Sequence, residues 1–161
     1  MTHSREAEQN VIGAILKDPK LYDEIAEILT WEDFYDLLHA KYFDLMGKMQ
    51  ADGVAIDPIY LAERCGDTSE ADFAYITDLL TNVPSSANAT AYARLVADKS
   101  GIREAKGQAL EIQKIAASDC DLDSMLSQIK NIADNMGREK STSLSTEELL
   151  AECIKDVEAR S

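Results

Sequence analysis

The chain has 161 residues, of which 45% are apolar and 29% charged, and it carries a formal net charge of -14. This is long enough for one domain with a proper core plus an appendage, and the balance is that of a soluble globular protein. The acidity repels phosphate backbones and argues against direct nucleic-acid binding, while it suits a basic protein partner or plain solubility.

The chain order predicts helices throughout. Ser4 opens the first, with Glu6 and Glu8 at the positive end of its dipole and Ala7, Val11, Ile12, Ile15 and Leu16 as its stripe; Asp18-Pro19 ends it. Leu21, Ile25, Ile28 and Leu29 mark a second helix. Thr30 to Asp33 reads as a variant capping box opening a short turn, with Phe34 and Tyr35 plugging the core behind it. Leu38, Tyr42, Leu45, Met46 and Met49 draw a third stripe, closed by Gly53. Asp57-Pro58 is an N-cap followed by proline at the first helical position. After a loop at Gly66 to Thr68, Ser69 caps a helix bearing Phe73, Ile76, Leu79 and Leu80. No segment alternates strictly, so no sheet is expected.

Pro84 then breaks the chain, and Asn88 or Ser86 caps a helix that meets no further proline. Roughly thirty helical residues reach about 45 Å, longer than a small domain is wide. Its seam runs Ala91, Leu95, Ile102, Ala105, Ala109, Ile112 and Ala116, with Asp98 in line. After a polar turn at Asp119, Asp121 and Asp123, the positions Leu122, Met125, Leu126, Ile129, Ile132, Ala133 and Met136 form an amphipathic helix ending near Gly137. The two make an antiparallel hairpin. Its seam serves either ordinary packing within the chain or an oligomer interface, for which Leu95, Ile102, Ala105, Ala109, Ile112, Leu122, Met125, Ile129 and Ile132 are the candidate residues. Residues 138–145 read as a polar linker. Beyond it Leu149, Leu150, Cys153, Ile154 and Val157 stripe a terminal helix that either folds back or docks elsewhere. The predicted architecture is therefore all-α: a helical head (1–82), a hairpin (83–137), a linker (138–145) and a terminal linker helix (146–161).

The search for chemistry returns exclusions. No run of about eighteen apolar residues exists to cross a membrane, and MTHSREAEQN lacks an apolar signal region, which makes the cytoplasm the expected compartment. Gly101 and Gly107 have the nearest P-loop spacing, but Gln108 follows them inside a helical pattern. The aspartates from Asp119 imitate a calcium loop, yet Ser124 stands where its glycine belongs and Lys130 where its glutamate does. Cys65, Cys120 and Cys153 are scattered and suit free thiols; with only His3 and His39, no metal cluster is expected. His39, among Phe34, Tyr35, Tyr42 and Phe43, reads as a core histidine making one structural hydrogen bond. No catalytic, cofactor-binding or metal-binding residue is assigned.

Five segments together resemble a known family. REAEQNVIGAIL (Arg5 to Leu16), EDFYDLLHAKYFDLM (Glu32 to Met46), IDPIYLAE (Ile56 to Glu63), FAYITDLLTNVPSSANATAYARLV (Phe73 to Val96) and Arg103 are similar to the N-terminal domain of the bacterial replicative DNA helicase of the DnaB type. The chain departs from the family pattern between Glu63 and Phe73, where it is shorter and lacks a glycine-rich turn. The resemblance implies a non-catalytic collar module. Such domains pair through their hairpins, three pairs crown a hexameric motor ring, and the collar receives the C-terminal domain of primase. It implies that the linker helix, through Leu149, Leu150, Ile154 and Val157, packs on the motor domain of a neighbouring subunit. ATP and Mg would belong to a motor domain in a parent ATP-dependent helicase. The alternative is a free-standing phage or plasmid relative that regulates or recruits a host helicase.

Overall fold

The computed structural model describes residues 2–66 and 70–136, with residues 70 and 71 described by their backbone alone. The described residues form α1 (Arg5–Lys17), α2 (Leu21–Ala26), a 3-10 turn (Trp31–Asp33), α3 (Leu37–Ala51), α4 (Pro58–Arg64), α5 (Glu70–Asn82), α6 (Ala89–Ala116) and α7 (Leu122–Asn135). No strand occurs among them, and the fold is all-α as expected. The Ser69 cap, the Gly137 cap, the linker at 138–145 and the terminal helix at 146–161 lie outside the described residues. The chain divides into two compact units, one ending at Arg103 and one beginning at Glu104.

In the first unit α1 is the central element. Val11 through Leu16 are all buried, so this stretch of the helix is apolar on every side, and α1 packs against α2, α3 and α5. Ser4 accepts from Ala7 N at 3.3 Å to start it. Its closest approach is at Gly13, where a Cβ would fall 2.3 Å from the Leu79 carbonyl oxygen and 2.4 Å from Val83 Cγ2. Only a glycine lets α1 and α5 meet so tightly. Lys17 then donates to the carbonyls of Val83, at 2.9 Å, and Pro84, at 3.3 Å, placing a cation just past the C-terminal end of α5.

Local capping follows the sequence closely. The Asp33 carboxylate accepts from Thr30 N at 2.8 Å, Asp36 caps α3 through Leu38 N at 2.9 Å, and Asp57 caps α4 through Tyr60 N at 2.9 Å. Gly53 takes a positive φ of 70° just after α3, the left-handed turn for which glycine is suited. At the start of α6 Asn88, not Ser86, stands immediately before the first helical residue, and its carbonyl accepts from Tyr92 N at 3.1 Å. In α7 Asp121 is the aspartate that caps, accepting from Ser124 N at 3.3 Å.

Three details differ from the sequence reading. The second helix ends at Ala26, so Ile28 and Leu29 lie beyond it; Leu29 is nevertheless buried, held by its N–H on the Ile25 carbonyl at 2.9 Å. Phe34 plugs the core, but Tyr35 is 54% exposed because the extended backbone after the 3-10 turn sends successive side chains to opposite sides. His39 makes two hydrogen bonds rather than one.

Candidate interaction surface

The buried titratable cluster of the first unit is built for support. Glu8, on α1, accepts from Tyr35 N at 2.7 Å, from Asp36 N at 3.2 Å and from His39 Nδ1 at 2.8 Å. His39 Nε2 lies 2.6 Å from the Tyr75 hydroxyl, which accepts from Gln9 Nε2 at 3.2 Å. With the imidazole proton on Nδ1, every donor has an acceptor: Gln9 to Tyr75, Tyr75 to His39, His39 to Glu8. Glu8 and His39 are buried and Gln9 and Tyr75 half-buried, and the chain of bonds ties α1, α3 and α5 together. Sequence reasoning missed Glu8, which looked like a first-turn carboxylate on the helix dipole. Its signal was its place on the Ala7–Val11–Ile12 face.

A second cluster fixes the N-terminal segment against α6. Arg103 donates to the carbonyls of Thr2 at 2.7 Å and Asp33 at 2.6 Å, and its guanidinium lies 5.5 Å from the centre of the Tyr35 ring. His3 stacks on Tyr35 with ring centres 4.0 Å apart, and Ser100 donates to the Asp33 carboxylate at 2.7 Å. This explains why an arginine stands at position 103: its planar fork serves two carbonyls and a ring at once.

The remaining candidates are apolar. Within the first unit the α6 residues Ala89, Ala93 and Val96 are buried in the core, whereas Leu95 is 38% and Ile102 43% exposed. In the second unit Ile112 and Ile115 on α6, and Met125, Ile129 and Ile132 on α7, are half-buried. They recur at spacings of three and four, the rows by which adjacent helices face one another. Ala105, Ala109 and Leu122 of the expected seam are exposed instead, and so are Leu110 and Leu126. Leu110 and Ile115 escaped the sequence reading because both lie off the heptad row drawn through Ile102 and Ala109. The four linker-helix candidates Leu149, Leu150, Ile154 and Val157 lie outside the described residues. No residue of α7 is buried, although the helix carries a continuous apolar face. Among the described residues no group of acidic, histidine and cysteine side chains could hold a metal ion, and no helix is long and apolar enough to cross a membrane.

The described residues thus define an all-helical protein in which α7 is amphipathic and has no buried residue. A family model described as the DnaB-like helicase N-terminal domain matches residues 1–98. The chain belongs to that family. It is 35% identical over 108 residues to the replicative DNA helicase DnaB of Buchnera aphidicola, covering 65% of this chain and 23% of the relative. With the DnaB of Pasteurella multocida it shares 37% over 106 residues, again 23% of the relative, and with the replicative DNA helicase DnaC of Bacillus subtilis 29% over 143 residues, 86% of this chain and 32% of the relative. The aligned part thus spans about a quarter of the length of the first of these relatives. The crystal structure of the N-terminal domain of DnaB helicase from Mycobacterium tuberculosis superposes with a TM-score of 0.73 at 23% identity, covering 83% of this chain and 97% of that one, which establishes the shared fold.

Proposed function

We propose that the chain works as the N-terminal module of a replicative DNA helicase, and that a second copy covers its hairpin. The observation that carries the pairing is α7: a helix of 14 residues with an apolar face and no buried residue. Isolated helices of this length are marginal in water, so such a face calls for cover. The interface residues are Leu95, Ile102, Ala105, Ala109, Ile112, Leu122, Met125, Ile129 and Ile132, joined by the exposed Leu110 and Leu126. Pairs of this kind would crown a hexameric ring and offer a docking surface to the C-terminal domain of primase, while Leu149, Leu150, Ile154 and Val157 engage the motor domain of a neighbouring subunit. Family membership supports the helicase setting; ATP and Mg are needed only by a motor domain, and this module takes no part in catalysis.

Two measurements test the reading separately. Ile102→Asp places a charge on the α6 seam, where burial without a counter-ion costs about 3–5 kcal/mol, so the variant is expected to run at half the mass of the parent chain. Equal masses would remove the hairpin as the pairing surface. Titration of the parent chain with the primase C-terminal domain from the same organism is expected to give saturable heat; none at high micromolar concentration would remove the primase assignment alone.

A further inference from the structure

On the first unit, α2, the 3-10 turn and α3 border an open groove of about 410 Å³ that neither the buried network nor the hairpin uses. Its lining is mainly aromatic and aliphatic: Trp31 is exposed and Tyr22 half-buried, while Leu29 and Phe43 are themselves buried. Tyr22 and Phe43 are tilted rings with centres 5.3 Å apart, and Trp31 is 50% exposed. The floor depends on Gly47, where a Cβ would fall 2.5 Å from the Tyr22 hydroxyl; the missing side chain lets the ring lie across α3.

Asp44 is the lining carboxylate, and Asp23 stands close enough to act on Tyr22. The Tyr22 hydroxyl registers this: burial raises its pKa first, and the carboxylates of Asp23 and Asp44 raise it further. Lys48 is the lining cation and is paired with Asp44 at 2.9 Å, with 62% of its own side chain exposed. An exposed pair of this kind is weak and yields to a better cation.

From the aromatic lining and these carboxylates we infer that this groove receives an arginine-bearing, apolar segment of a basic partner protein. A planar guanidinium stacks on the faces of Trp and Tyr and pairs with a carboxylate through two parallel hydrogen bonds, which an ammonium cannot do. The methylene stem of the arginine lies along the exposed Trp31 and the half-buried Tyr22. A second copy of this chain, itself at -14, and any nucleic acid are both repelled by such carboxylates. The groove is independent of the hairpin and of the helicase reading.

The test uses the intact chain, whose one tryptophan is Trp31 and therefore reports on the site alone. The probe is the peptide acetyl-Arg-Leu-Ala-Arg-Leu-Ala-Arg-amide, followed by Trp31 fluorescence, with the peptide bearing Glu in place of each Arg as control. The expected result is a saturable change with the arginine peptide and none with the control. Asp44→Asn is expected to weaken binding about five- to tenfold, and Lys48→Ala, which frees Asp44, to tighten it. Asp78→Asn, an equal charge change at an exposed position of α5, is expected to leave it unaltered. The inference is overturned if the peptide gives no saturable change, or if Asp78→Asn matters as much as Asp44→Asn, which would mean diffuse charge attraction. A Trp31 signal that changes with protein concentration alone would assign the groove to a second copy and overturn it equally.

Discussion

Glu8 sets the standard at the scale of the residue. One buried carboxylate accepts two backbone N–H groups and an imidazole, so its loss strands three donors at once. Glu8→Ala is expected to cost about 3–5 kcal/mol, read as a lowered urea midpoint. Glycines divide sharply. Gly13→Ala gains up to about 1 kcal/mol of helix propensity but drives a methyl into the Leu79 carbonyl, and overpacking of about 1–3 kcal/mol or more wins, so the variant is expected to be less stable. Gly107, with nothing within 4 Å of a built Cβ, reverses the sign: Gly107→Ala is expected to stabilise α6 by up to about 1 kcal/mol. Thermal or urea unfolding of the two variants checks both. The thiols differ as well. Burial pushes the Cys65 thiol up, with the nearby Asp72 carboxylate adding to it against the opposing pull of Lys41, while Cys120 is half-exposed. Since the thiolate is the nucleophile, iodoacetamide at pH 8 is expected to label Cys120 well before Cys65 by mass spectrometry.

Elements were the most legible level. Caps at Ser4 and Asp57, the polar turn before α7, the stops at Pro19 and Gly53, and the periodic stripes of α1, α3 and α5 are local chemistry, and local chemistry is written in neighbouring residues, although the Asp36 cap of α3 was missed. What the sequence could not supply was pairing across distance. Nothing near Glu8 announces Tyr35 or His39, nothing near Arg103 announces Thr2, and the groove beside Trp31 exists only because Gly47 passes under Tyr22. The hairpin seam was half legible for the same reason. A heptad count finds Ile112 and Ile129, which are half-buried, yet it cannot distinguish them from Leu110 and Leu126, which are exposed. Leu126→Asp is expected to leave helical content intact by circular dichroism while lowering the mass in solution, because that side chain is 55% exposed within one chain and belongs to the proposed pairing surface.

For the molecule as a whole, charge and an uncovered apolar face act together. From the net charge of -14, fluorescence anisotropy with a labelled single-stranded oligonucleotide at physiological salt is expected to show no binding. The same charge opposes indiscriminate association, so any pairing must come from a specific surface. The most direct test of that claim is the mass of the intact 17.8 kDa chain by light scattering over a concentration series from low to high micromolar. The account expects the mass to rise to at least that of a dimer, and to fall back towards a monomer in Ile102→Asp and Leu126→Asp. A mass of one chain at every concentration would contradict it.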